Sequence, residues 1–210
     1  MLRRTGDCMF RTLREVVGFL RWQWPHLLFA VPGALLVTVL HEASHAAAVV
    51  AQGGRLTGFQ WLPSGGHWGR VEYAFPAGVS YSGFAISVAP YCLWLLVTMA
   101  ACALSLRESP CRPWVASASF VWAFVVPLAD TANTAFPYLA GAHNDFLSAF
   151  GAPSALAWLL AISATMACGL VGFVVQRRLY RDRAVSRSAY LVLCAMTLAG
   201  IAAVSGGWLL

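Results

Sequence analysis

Long apolar segments, separated by short stretches rich in arginine, glycine or proline, constrain the fold of this chain more than any other feature. They comprise residues 27–51, 78–106, 114–138, 154–176 and 188–209. Each is long enough to cross a bilayer as a helix, which takes roughly 20 residues. Charged residues make up 10% of the 210-residue chain, whereas a soluble domain carries about 25%. We therefore expect an all-α polytopic membrane protein with about five transmembrane helices, because backbone groups inside a bilayer need internal hydrogen bonds.

The net charge of +6 comes from arginine alone, since the chain contains no lysine. Most of the arginines flank the apolar segments, in residues 3–21, 107–112 and 177–187. Arginines in such positions mark the cytoplasmic ends of membrane helices. The charge thus indicates membrane topology, and we expect the lipid bilayer as a partner and no nucleic acid. The expected location is the cytoplasmic (inner) membrane of a bacterium.

The first 25 residues contain too many arginines to form the apolar core of a cleavable signal peptide. Their apolar residues instead recur at helical spacing, as Phe10, Leu13, Val17, Leu20 and Trp24. A helix with one such face lies in the membrane interface rather than across the membrane. We therefore predict an interfacial helix over residues 1–25.

The segment after the first apolar stretch departs from the helical pattern. Gly53 and Gly54 end the first helix, as glycine commonly does. Residues 55–62 and 67–75 are rich in aromatic and β-branched residues and flank a turn sequence at 63–66. This pattern predicts a short β-hairpin; the alternative is a re-entrant or interfacial loop with aromatic anchors.

The first apolar segment contains the sequence His41-Glu42-Ala43-Ser44-His45. Residues four apart lie on one face of a helix, so His41 and His45 can hold one metal ion. Glu42 lies beside that face and can take a proton from an attacking water molecule. The motif lies about 20 Å along the helix from the start of the segment, at a depth where an unpaired ionisable group is costly. The alternative reading is two hydrogen-bonded histidines beside a neutral buried glutamate.

A catalytic zinc ion takes three protein ligands and keeps one position open for water. The downstream candidates for the third ligand are Asp130, His143 and Asp145. Asp130 lies within the third apolar segment, where a lone carboxylate needs a partner. Asp145 follows that segment and can begin the next helix, close to the metal. The residues alone leave all three candidates open.

A membrane-embedded HExxH motif, a glycine-rich hairpin after it and a later Asn–Pro element followed by an aspartate resemble the site-2 protease (M50) family. The resemblance covers residues 33–146, within what we expect to be a single membrane-embedded metalloprotease-like domain over residues 1–210. It implies an intramembrane zinc metalloprotease with Zn²⁺ as cofactor, which hydrolyses peptide bonds of a membrane-protein substrate helix. It also implies roles for individual residues: the metal ligands His41, His45 and Asp145, the catalytic general base Glu42, and the substrate-binding Asn133.

Two positions depart from the family pattern. The proline comes one residue later than in Asn-x-x-Pro, at Pro137, and Phe146 replaces the glycine that usually follows the aspartate. A second zinc-protease family, resembling the CAAX prenyl proteases, takes a downstream glutamate as third ligand; only Glu72 and Glu108 are available for that role. A non-catalytic membrane protein that binds a metal or a client helix is the alternative from another class. The sequence makes no prediction of oligomeric state.

Overall fold

The computed structural model describes residues 2–27, 30–62, 69–105, 113–141 and 143–206. Most of these residues are helical, as the apolar segments predict. In chain order the helices are α1 (Leu2–Leu27), α2 (Ala30–Ala51), α3 (Gly83–Ser105), α4 (Pro113–Phe120), α5 (Val126–Leu139), α6 (Asp145–Phe150), α7 (Ala155–Tyr180) and α8 (Arg187–Gly206). Helices α2, α3, α4 with α5, α7 and α8 fall on the five apolar segments to within a few residues.

The third apolar segment is not one regular α-helix. A π-helical turn at Val121–Val125 joins α4 to α5. Pro127 lies two residues after this turn, and its missing N–H removes a donor to the preceding turn. Single π turns of this kind occur often at functional sites. Here the turn lies just before Asp130, one of the candidate ligands.

Two helical stretches are long and apolar enough to cross a membrane, Gly83–Leu104 and Ala155–Tyr180. The stretches Leu36–Ala51 and Arg187–Gly200 are apolar but shorter. Length and composition therefore support two candidate spans among the described residues, and the count of five remains a prediction. Helix α7 exposes a series of large apolar side chains: Leu156, Leu159, Leu160, Ile162, Met166 and Leu170. Apolar exposure on this scale is typical of a surface that lipid or a partner protein covers.

The predicted β-hairpin is confirmed. Strands β1 (Arg55–Gln60) and β2 (Arg70–Ala74) pair antiparallel, with a register shift between Leu56 and Gly58. The predicted turn at 63–66 lies outside the described residues. Helix α2 ends in a Schellman motif, in which the Gly54 N–H donates to the Val49 carbonyl and Gly53 adopts a φ of 83°. This end turns the chain directly from α2 into the hairpin.

Helix α1 runs two residues beyond the predicted end of the interfacial helix. Four of the five predicted apolar residues, all but Leu20, are exposed, as a face turned towards lipid would be. A second face of α1, with Val16 and Phe19, is buried and packs against Tyr180 and its neighbours. Glu15 of α1 also accepts a hydrogen bond from the Ser186 N–H. The amino-terminal helix therefore lies beside the loop that connects α7 to α8.

Candidate metal centre

Helix α2 presents the two histidines of the motif on one face. The His41 and His45 rings lie one turn apart, with centroids separated by 4.9 Å. Their Nε2 atoms are 3.2 Å apart. Both side chains are nearly buried, with 13% and 9% of their surface exposed. The helix therefore brings the two potential ligand atoms together, as the spacing predicts.

Asp145 completes a triangle of potential ligand atoms. Its Oδ2 lies 3.0 Å from His41 Nε2 and 3.2 Å from His45 Nε2. Zinc bonds of about 2.0–2.1 Å at tetrahedral angles place neighbouring ligand atoms about 3.3–3.4 Å apart. The three atoms thus have nearly the spacing of one face of a tetrahedral zinc site. Of the described residues, these three form the group that could hold a metal ion.

The hydrogen bonds on the far side of each ring determine where the imidazole protons lie. His45 Nδ1 is 2.7 Å from the Ile86 carbonyl oxygen, which can only accept, so Nδ1 carries the proton. His41 Nδ1 is 2.8 Å from Asp130 Oδ2, which also accepts a hydrogen bond from the Trp94 indole N–H at 2.7 Å. In its neutral form, each ring therefore directs an Nε2 lone pair inward.

Two Nε2 lone pairs and one carboxylate oxygen consequently face each other across about 3 Å. Three acceptors at this distance repel one another unless a cation lies between them. A single proton can join only two of the three atoms, whereas a metal ion can bind all three. A carboxylate binds a metal ion in its ionised form, so Asp145 would be the one anionic ligand of the group.

A helix cap positions Asp145 from a separate part of the chain. Asp145 is the first residue of α6, and Asn144 before it accepts hydrogen bonds from the Phe146 and Leu147 N–H groups. The Asn144 amide also donates to the Thr134 carbonyl at 2.8 Å. This residue thus ties the start of α6 to α5, which directs Asp145 towards α2.

The other candidates for a third ligand lie elsewhere. Asp130 contacts the opposite nitrogen of His41 and orients that ring, a role that carboxylates commonly fill behind metal-binding histidines. His143 is exposed and is not part of the ligand group. Glu72 lies on β2, with a half-exposed side chain 3.5 Å from Arg70. Glu108 lies outside the described residues.

The hairpin approaches the general-base candidate very closely. A Cβ atom placed on Gly69, just before β2, would lie 2.7 Å from both Cγ and Oε1 of Glu42. It would also lie 2.8 Å from a methyl group of Thr38. Only glycine leaves room for such an approach. Glu42 is itself buried and interacts electrostatically with His41, His45 and Asp145.

Asn133 lies on α5, one turn before Pro137, and is partly buried. It is not a member of the ligand group. Its role in substrate binding stays a prediction.

Sequence reasoning missed several residues that support the site. Asn144 carries a recognisable signal, because asparagine before an aspartate often begins a helix. Gly69 and Trp94 carry none, since their contacts with Glu42 and Asp130 bring together distant segments. The only sequence signal for the role of the Ile86 carbonyl is Pro90, four residues later, which leaves that carbonyl without its usual helical donor.

The fold and site together define a mostly helical chain with candidate membrane spans and a partly buried His–His–Asp group suited to a metal ion. Comparison with protein-family models, characterised proteins and solved structures finds no match. Function must therefore be argued from the site.

Proposed function

We propose that this chain is an intramembrane zinc metalloprotease that hydrolyses peptide bonds of membrane-protein substrates, similar to the site-2 proteases. One observation carries the proposal: two imidazole Nε2 atoms and the Asp145 carboxylate converge within 3.2 Å beside Glu42. Three ligands with one open position are typical of catalytic zinc sites, whereas structural sites use four protein ligands. Metal storage alone gives no reason for a buried carboxylate directly after the first ligand.

The chemistry divides between the metal and the protein. Zinc, when bound, supplies an electrophile that polarises the scissile carbonyl and acidifies water. Glu42 takes a proton from the attacking water and passes it to the leaving amine. Asp130 and the Ile86 carbonyl keep the imidazoles oriented through their Nδ1 protons. Asn133 is proposed to donate a hydrogen bond to the substrate backbone or to the developing oxyanion.

A substrate helix has its carbonyls hydrogen-bonded, so it must unwind before hydrolysis. The hairpin is proposed to receive the unwound stretch as an additional strand. The position of Gly69 supports this role, because the residue that enters β2 lies against Glu42. A strand paired at this end of the hairpin would pass close to the general base.

The membrane setting belongs to the same proposal. We propose five crossings, formed by α2, α3, α4 with α5, α7 and α8, in a bacterial cytoplasmic membrane. The exposed apolar surface of α7 and the burial of ionisable groups on α2 support it. Helix α1 then lies in the interface beside the arginine-rich loop after α7.

Metal analysis of detergent-purified protein is the direct test. We expect about one zinc ion per wild-type chain and its loss in both His41→Ala and Asp145→Asn. The Asp130→Asn variant should retain zinc, with weaker affinity. Glu72→Gln, a change at a half-exposed hairpin carboxylate, serves as a matched control and should bind zinc like the wild type. Wild-type protein that binds no zinc would refute the metal centre.

Proteolysis is tested by comparing the wild type with Glu42→Gln in membranes. New protein termini, identified by mass spectrometry, should depend on Glu42 and fall within or beside transmembrane segments of the cleaved proteins. Glu42→Gln should still bind zinc, because the ligands are unchanged. A variant that binds zinc and yields the same termini as the wild type would instead favour the non-catalytic metal- or client-binding protein.

A further inference from the structure

Helix α3 contains a proline in its interior, at Pro90, where the side chain is fully buried. Proline has no backbone N–H, so residue 90 cannot donate to the carbonyl of residue 86, its usual partner in an α-helix. That residue, Ile86, is itself buried, with 4% of its surface exposed. A buried carbonyl without a partner is unfavourable, so the oxygen requires another donor.

The donor is a proposed metal ligand on a different helix. His45 Nδ1 lies 2.7 Å from the Ile86 oxygen, at the most buried of the three ligand side chains. In a regular helix this oxygen would point along the axis of α3 towards residue 90. Without a donor there, the carbonyl can tilt away from the axis towards α2.

We propose that Pro90 is a positioning residue of the metal centre. Pro90 makes the Ile86 carbonyl available to His45, and this hydrogen bond determines that His45 binds metal through Nε2. The inference rests on the proposed metal centre and goes beyond it. The carbonyl holds the proton on Nδ1 and fixes the rotation of the ring. The Nε2 lone pair then points at His41 Nε2 and Asp145 Oδ2, each 3.2 Å away.

The two histidines therefore have different supports. His41 is held by a carboxylate, Asp130, which the Trp94 indole anchors. His45 is held by the main-chain carbonyl of Ile86, which is available because Pro90 has no N–H to compete for it. Both supports involve α3, through Trp94 and Ile86. Helix α3 thus acts as the scaffold behind the metal-binding face of α2.

Replacement of Pro90 by alanine tests the inference, because it restores an N–H that competes for the Ile86 oxygen. We expect zinc affinity, measured by competition with a chromophoric chelator, to fall about 10- to 100-fold, as for other losses of support behind a ligand. Pro90→Gly restores the same N–H and should weaken zinc binding to a similar extent. Glycine and alanine differ widely in helix propensity, so a purely structural role would separate the two variants. Ser87→Ala, beside Ile86, adds no donor and should bind zinc like the wild type.

Imidazole ¹⁵N spectra of histidine-labelled protein provide a readout that does not depend on any variant folding. In zinc-loaded wild type, His45 should show a protonated, hydrogen-bonded Nδ1 and a metal-bound Nε2. The opposite assignment would overturn the inference, as would unchanged zinc affinity in both Pro90 variants. Wild type that binds no zinc would instead refute the metal centre itself, so the two failures are distinguishable.

Discussion

Replacement of Asp130 by asparagine tests whether Asp130 orients the ligand His41 or is itself a metal ligand. Asp130 Oδ2 accepts hydrogen bonds from His41 Nδ1 at 2.8 Å and from the Trp94 indole at 2.7 Å. Asparagine has nearly the same shape, but its neutral oxygen accepts more weakly than a carboxylate. Hydrogen bonds to charged groups contribute about 1.5–3 kcal/mol, roughly twice as much as those between neutral groups.

The expected loss follows from these values. If half of one charge-assisted bond is lost, His41 binds zinc about 0.8–1.5 kcal/mol less favourably. Because each 1.4 kcal/mol is about a factor of ten, the zinc dissociation constant should rise roughly 4- to 12-fold, near the lower end of the 10- to 100-fold range of outer-sphere substitutions. Asp145→Asn removes an anionic ligand, and its loss of affinity should be far larger.

The assay is competition for zinc against a chelator of known affinity, in detergent at pH 7.5, with Glu72→Gln as the control. Helical content and thermal unfolding of each variant, measured without metal, establish that the chain remains folded. An Asp130→Asn affinity equal to that of the wild type would refute the orienting role. Complete loss of zinc in Asp130→Asn together with retention in Asp145→Asn would reverse the assignment of the third ligand.

Two further predictions concern the hairpin and the amino-terminal helix. Gly69→Ala should leave zinc binding intact but lower cleavage of an identified substrate about 100-fold, since the added Cβ must displace Glu42 or the hairpin. Gly18→Ala is the control: a Cβ there meets no atom within 4 Å, so this variant should cleave the substrate normally. Hydrogen bonds from Ser186 lower the pKa of Glu15 below its usual value near 4.5. The Glu15 carboxylate therefore stabilises the folded state above pH 4.5, and this stabilisation is lost as the pH falls through the lowered pKa. Thermal unfolding of wild type and Glu15→Gln should therefore differ at pH 7 and converge as the pH falls below the lowered pKa; a difference that does not change with pH would contradict the assigned contact.

The helices and the hairpin were predictable because their signals are local. Apolar runs of about 20 residues, glycine after a helix end, and aromatic stretches around a turn each act within one segment of the chain. The pairing of His41 with His45 is local in the same sense, because four residues make about one helical turn. The sequence also indicated that α1 would expose an apolar stripe. It did not indicate which face of α1 would be buried, since that face depends on contacts with α7 and the loop after it.

The third ligand and its supports depend on contacts between distant segments. Asp130 and Asp145 are the same residue type and lie on either side of one turn, so composition and spacing do not distinguish them. Packing does: Asp130 reaches the Nδ1 side of His41, whereas the Asn144 cap turns Asp145 towards the two Nε2 atoms. The sequence by itself thus determined the helices, the hairpin and the two histidines. The residues alone left both carboxylates open, and the resemblance favoured Asp145. The tertiary structure decided which carboxylate faces both histidines, because that choice depends on how α2, α5 and α6 pack rather than on any pattern within one of them.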